Sequence, residues 1–207
     1  MPNHQPTHKH TGAIYTPTWI VDLMLSTINV PTQPTPIHIL DPSCGDGAFL
    51  VRIAQQWIEF AHKQQMSEID AQQHIVPYIH GYDIDPNAIQ ALRLRLDALT
   101  TEHGWQSWAW DIHVANALDP THRAHIAQRM DIVVGNPPYI RIHNLPTEQR
   151  EIIRQLPSCR KGMTDLYIAF YDLGLEALTP HGRMAYITPN SWFHSQAGTA
   201  LRHRFAT

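Results

Sequence analysis

Apolar positions fall into two alternating patterns along the chain, short continuous runs and longer stretches at helical spacing. The first stretch is opened by Tyr15-Thr16-Pro17. Residues 18–28 carry Ile20, Val21, Leu23, Met24 and Leu25, and Pro31 stops the helix. A proline-rich loop, residues 31–36, leads to a short strand over residues 37–40 that runs into Asp41. A glycine-bearing turn follows, then a helix over residues 48–64. Residues 77–83 read as the second strand. Pro86 suits the first turn of the next helix, which covers residues 88–99. Residues 108–114 and 131–135 supply two further strands. A helix over residues 165–178, a strand over 183–188 and the start of another helix complete the series. Strands separated by helical crossovers predict an α/β protein with a doubly wound, mainly parallel sheet.

Composition narrows this picture. A chain of 207 residues has room for one ordinary domain with a sizeable core. No uninterrupted apolar run approaches the span of a membrane helix, and Met1-Pro2-Asn3-His4 lacks the charged and apolar regions of a signal peptide. A soluble, cytoplasmic protein without a membrane partner is expected. Cys44 and Cys159 stand outside any CxxC arrangement, which suggests neither a disulfide framework nor a zinc knuckle. His4, His8 and His10 cluster in a polar tail over residues 1–10, expected to be disordered rather than a metal site.

The net charge of −3 hides an uneven distribution. Residues 1–134 hold 7 Lys and Arg against 13 Asp and Glu, net −6, whereas residues 135–207 hold 8 against 5, net +3. Arg141, Arg150, Arg154, Arg160 and Lys161 gather where a polyanion could dock, or where a helix simply meets solvent.

In a doubly wound sheet ligands sit beyond the carboxyl ends of the strands, so the residues just after each strand carry the functional signal. After the first strand comes Asp41-Pro42-Ser43-Cys44-Gly45-Asp46-Gly47, whose glycines let backbone approach a ligand ahead of a helix N-terminus. The second strand ends in Gly81-Tyr82-Asp83-Ile84-Asp85-Pro86. Asp83 suits ribose hydroxyls, and Asp85 suits a helix cap. The GxGxxG pattern is absent, which argues against NAD or FAD. Asn116, after the third strand, could read a purine edge or serve as a turn residue. After the fourth strand stands Asn136-Pro137-Pro138-Tyr139: a side-chain carbonyl, two rigid prolines and a flat π face, a set that suits a planar base bearing an amino group.

In this order the motifs resemble those of S-adenosylmethionine-dependent adenine-N6 DNA methyltransferases of the γ group, the modification enzymes of restriction-modification systems. Gly12 to Pro17 is like motif X, Asp41 to Leu50 motif I, Gly81 to Pro86 motif II, Asn116-Ala117-Leu118 motif III, and Asn136 to Tyr139 motif IV. Asp165-Leu166-Tyr167 is like motif V, and Gly182 to Phe193 like motif VI. The resemblance implies the Rossmann-like class I methyltransferase fold over residues 11–207, without its last strands. It also implies that Thr16, Asp41 and Ser43 line the methionine side of the cofactor, Asp83 its ribose, and Asn116 with Ala117 its adenine. Cys44, Gly45, Ile84 and Pro138 count among the cofactor contacts, and Asn136, Pro137, Pro138 and Tyr139 form the catalytic set. The expected partner is duplex DNA with one adenine rotated out. Ala117 departs from the larger apolar residue of many relatives.

The chain stops soon after motif VI, with neither the closing strands nor a target-recognition domain in view. A domain-only product and one subunit of an enzyme completed by a separate specificity chain are both expectations. Other readings are a methyltransferase for protein glutamine or for guanine N2 of ribosomal RNA, and a cofactor-binding subunit without turnover. Cytosine N4 is a further acceptor, although Asn at position 136 leans toward adenine.

Overall fold

The computed structural model describes residues 16–160 and 165–206. The tail, the Gly12 to Tyr15 part of the first motif, and Lys161 lie outside these residues. Thirteen longer elements follow one another: α1 (Thr18–Thr27), β1 (Ile39–Asp41), α2 (Ala48–Lys63), α3 (Glu68–Ile75), β2 (Ile79–Asp83), α4 (Pro86–Glu102), β3 (Asp111–Val114), α5 (Pro120–Ile126), β4 (Met130–Gly135), α6 (Thr147–Arg154), α7 (Leu166–Ala177), β5 (Leu178–Tyr186) and α8 (Thr199–Ala206). The five strands form one parallel sheet in the order β3-β2-β1-β4-β5. The doubly wound α/β expectation is met, and strand order reverses between β1 and β4.

The alternation of side chains along each strand divides the core into two. Ile39, Ile79, Ile112, Ile132 and Val134 face α1, α2, α3 and α4. Leu40, Tyr82 and Val133 face the other way, against α5, α6, α7 and α8. Both faces being covered explains why β1 is buried at every position. Helix α2 shows how sequence drives this packing. It starts at Gly47, whose φ of 92° is open to glycine and whose missing Cβ leaves room for Leu92. Phe49, Leu50, Ile53, Ala54, Trp57, Ile58 and Ala61 then recur on one face and are all buried. Each fully buried aliphatic side chain contributes about 1.5–3 kcal/mol. The Trp57 indole also donates to the Pro31 carbonyl at 2.7 Å, fastening the proline-rich loop.

Several boundaries differ from the sequence expectation. β3 begins at Asp111 rather than 108, because Trp105, Trp108 and Trp110 pack ring on ring at 5.5 and 5.4 Å instead of entering the sheet. β5 runs from Leu178 to Tyr186 rather than over 183–188, since Leu178 already pairs with Met130 before the register shifts. β1 and β2 each start two residues later than the apolar runs suggest. Helices α3, α5 and α6 were not anticipated. They are 8, 7 and 8 residues long, too short for a periodic signal. A polar network fastens the C-terminal helix: buried Asp172 accepts from the Ser158 amide and hydroxyl at 2.7 and 2.8 Å, and Arg204 reaches it at 2.9 Å.

Candidate active site

The crevice between β1 and β4 is the switch point of the sheet, and the turns that follow β1, β2 and β4 border it. The first two turns are locked together by main-chain hydrogen bonds. Cys44 N donates to Tyr82 O at 2.9 Å, and Gly45 N donates to the Asp83 carboxylate at 2.8 Å. The other Asp83 oxygen accepts from Asp85 N at 2.9 Å. Gly45 adopts φ 53°, and a Cβ built on it would meet nothing within 4 Å, so the turn leaves open space at this point. Ile84, which follows Asp83, is 62% exposed. Asp85 caps α4 by accepting from Asn87 N at 2.8 Å, with Pro86 at the first helical position. Cys44 is buried, and burial pushes its thiol well above its ordinary range.

Asp41 closes β1 and is 1% exposed. Burial raises its carboxyl to about 8, opposed in part by the Ser43 amide, which donates to it at 3.1 Å. The Ser43 hydroxyl is buried with no hydrogen-bond partner among the described residues. The turn after β1 thus sets a buried acid, favoured in its neutral form, beside a buried hydroxyl without a partner among the described residues. Gly135 belongs to this arrangement and was missed by sequence reasoning: a Cβ there would lie 2.7 Å from Asp41 Oδ1. Only its place at the end of β4 could have signalled it.

Across the crevice the geometry is made by side chains. The Asn136 amide nitrogen donates to the hydroxyl of buried Thr16 at 3.2 Å. Tyr139 Oη lies 2.6 Å from Asn136 Oδ1 and 3.0 Å from the Ile187 carbonyl, which follows β5. Pro137 is buried and Pro138 half-buried between them. The Tyr139 ring meets Tyr167 edge to face at 6.2 Å. Tyr167 and Tyr171 reach Ser191 and Thr188 at 3.2 and 2.9 Å. Burial raises all three phenols. Ile187 carries no signature in the sequence, because its contribution is a main-chain oxygen.

Asn116 and Ala117 stand apart from both groups in how they are held. Asn116 Oδ1 accepts from Leu118 N at 3.1 Å and its nitrogen donates to Asp119 at 3.2 Å, so the amide forms a local turn ahead of α5. Ala117 is 2% exposed and packs in the core with Leu118. Of the basic residues, Arg141 pairs with Asp165 at 3.1 Å, Arg150 donates to Thr147 at 2.9 Å, and Arg154 and Arg160 are exposed. Among the described residues no group of three or more His, Cys, Asp or Glu could hold a metal ion, and no helix is long and apolar enough to cross a membrane.

Known proteins share this framework. The chain is 28% identical over 210 residues to the Type II methyltransferase M.BstVI of Geobacillus stearothermophilus, which covers 96% of this chain and 37% of that protein. It therefore spans about a third of the length of the curated relatives it matches. Its fold is similar to the ATP-dependent Type ISP restriction-modification enzyme LlaBIII bound to DNA, with TM-score 0.69, 18% identity, and coverage of 95% of this chain and 16% of that one. It is also similar to the M protein of the Type I restriction enzyme EcoKI, with TM-score 0.64, 17% identity, and coverage of 94% and 38%. With the Asn-Pro-Pro-Tyr turn at the switch point and residues 78–206 matching its sequence model, the chain belongs to the Eco57I restriction-modification methylase family.

Proposed function

We propose that this chain transfers a methyl group from S-adenosylmethionine to the N6 amine of an adenine rotated out of duplex DNA. The observation that carries the reading is the Asn136 carbonyl oxygen, held at the end of β4 opposite the locked turns of β1 and β2. The residues fit this cofactor. Asp41, buried and without a cationic partner among the described residues, suits the methionine ammonium, and the Ser43 hydroxyl suits its polar end. Asp83 suits the ribose hydroxyls, and exposed Ile84 gives an apolar surface for the adenine ring. Thr16, Cys44, Gly45 and Pro138 line the same crevice in this reading. Asn116 and Ala117 contribute at its far end through the turn they build. When bound, the cofactor supplies an electrophilic methyl group on a sulfonium.

The acceptor amine is a weak nucleophile because its lone pair is delocalised into the base. Asn136 Oδ1 and the Pro137 carbonyl each accept one amine hydrogen, which favours a pyramidal nitrogen with its lone pair turned toward the methyl group. A carbonyl oxygen has two acceptor sites, and the Tyr139 hydroxyl takes one of those on Asn136. Asn136 acts by shaping and positioning, since an amide cannot remove a proton at neutral pH. The amine proton leaves to solvent after the nitrogen–carbon bond has formed and the carbon–sulfur bond has broken. Tyr139 stacks on the rotated base, worth about 1–3 kcal/mol. Sequence choice on DNA belongs in this reading to further protein, either a target-recognition domain or a separate specificity chain.

Incubation with methyl-labelled cofactor and duplex DNA, followed by digestion to nucleosides, tests the reading. Label in N6-methyladenine is the expected result. Label in N4-methylcytosine would change the acceptor, and label only in release factor or ribosomal RNA would sink the DNA assignment.

A further inference from the structure

A second, enclosed cavity of about 120 Å³ lies next to the acceptor set, and Arg141, Asp165, Tyr167, Ser191 and Ser195 stand in its wall. Tyr167 belongs to both places, since its ring meets Tyr139 edge to face at 6.2 Å. The main chain fixes how they are spaced. Leu166 N donates to Ile140 O at 2.7 Å, and Arg141 pairs with Asp165 in an isolated antiparallel bridge. The segment that follows the tetrapeptide is thereby fastened to the start of α7. Two residues of extended chain reach at most about 7 Å, so the Arg141 main chain lies no farther than that from Tyr139.

This cavity holds more hydrogen-bond donors than the described residues take up. Arg141 Nε lies 3.1 Å from Asp165 Oδ1, and its side chain is 59% exposed against 24% for Asp165. A guanidinium carries five N–H groups in a planar fork, and the Arg141 side chain forms no other ion pair or hydrogen bond with a described residue. The Ser195 hydroxyl accepts from Gly198 N at 3.2 Å, which leaves its proton for a further acceptor. The Tyr167 phenol is already engaged, with the Ser191 hydroxyl at 3.2 Å and with the Asp165 carboxylate, and so shapes the wall. An arginine fork beside a hydroxyl-bearing cavity matches the paired oxygens of a phosphate. Asp165 selects which phosphate: its carboxylate opposes a doubly charged free phosphate more than a phosphodiester, which carries a single negative charge. We propose that Arg141 and Ser195 bind a backbone phosphodiester beside the rotated adenine, holding the nucleotide by its phosphate while Asn136 and Tyr139 receive its base. The inference rests on the adenine reading above and extends it to the DNA backbone.

The test uses nuclear magnetic resonance of protein labelled with nitrogen-15 arginine and asparagine. The Arg141 Nε and Asn136 side-chain signals are identified by their loss in Arg141→Gln and Asn136→Asp. Single-stranded probes remove the need to rotate a base out of a duplex. Three are compared: a trinucleotide of deoxyadenosine with phosphodiester links, the same trinucleotide with uncharged methylphosphonate links, and inorganic phosphate. The phosphodiester should shift both signals and bind about tenfold more tightly than the methylphosphonate, as for one hydrogen bond to a charged group. The methylphosphonate should shift Asn136 and leave Arg141 nearly unmoved. Arg141→Gln should bind the two trinucleotides equally. Equal binding by the unmodified protein, or a difference that persists in Arg141→Gln, overturns the proposal. So does an Arg141 shift with inorganic phosphate as large as that with the phosphodiester at the same concentration, which means an adventitious ion only. If neither trinucleotide shifts Asn136, the adenine reading itself fails, a result separate from the loss of the Arg141 role alone. Should Arg141→Gln not fold, the three probes on the unmodified protein still decide.

Discussion

The two sides of the crevice are held by different kinds of bond. On the β1–β2 side the main chain does the holding: Gly45 N on Asp83, Cys44 N on Tyr82 O, and Gly47 N on Cys44 O at 2.8 Å. Main-chain donors of one turn thus fasten it to another turn 38 residues away. On the β4–β5 side the contacts are made by side chains, Thr16 with Asn136 across 120 residues and Tyr139 Oη beside both Asn136 Oδ1 and the Ile187 carbonyl. In the proposed reading the first side grips the cofactor and the second receives the base.

Substitutions on the two sides should separate cleanly. The largest effect is expected for Asn136→Ala, which should lower the rate of methyl transfer about 10²–10³-fold or more while calorimetry finds cofactor affinity nearly unchanged. Asp83→Ala should do the opposite, weakening cofactor binding about 10–100-fold with transfer partly restored at saturating cofactor. Equal loss of cofactor binding in both variants would erase the distinction between the two sides. Gly135→Ala tests the place where they touch. Its methyl group would press on Asp41, and urea unfolding should show a loss of about 1–3 kcal/mol.

A further test is a slope with pH. Asp41 titrates near 8 when folded against a usual value of 3.8, so over that window the folded protein keeps a proton that the unfolded chain releases. The stability contribution of this group therefore falls as pH rises from about 4 to about 8, and is unaffected below that range. Unfolding curves of the cofactor-free protein minus those of Asp41→Asn should reveal that decline. A difference flat with pH would mean that Asp41 is ionised in the folded protein.

Strand-to-helix turns were readable because they depend on neighbours. Gly45, Gly47, Asp83, Asp85 and the tetrapeptide at 136–139 each stand at the end of an apolar run, where a parallel sheet places ligands. The helices longer than about ten residues were readable for the same reason, since their periodicity persists over several turns. The short helices α3, α5 and α6 lacked that length. The start of β3 was hidden because Trp108 and Trp110 suit a strand but pack more favourably with one another and with Trp105.

Local order along the chain was enough to determine the α/β plan and the turns that border the crevice, because each rests on residues adjacent in sequence. Tertiary structure alone decided that Gly135 must lack a side chain beside Asp41, and that Thr16 and the Ile187 carbonyl join Asn136 and Tyr139. Those outcomes depend on distances between atoms tens of residues apart, and on a main-chain oxygen that every residue possesses, so no pattern of residue types encodes them.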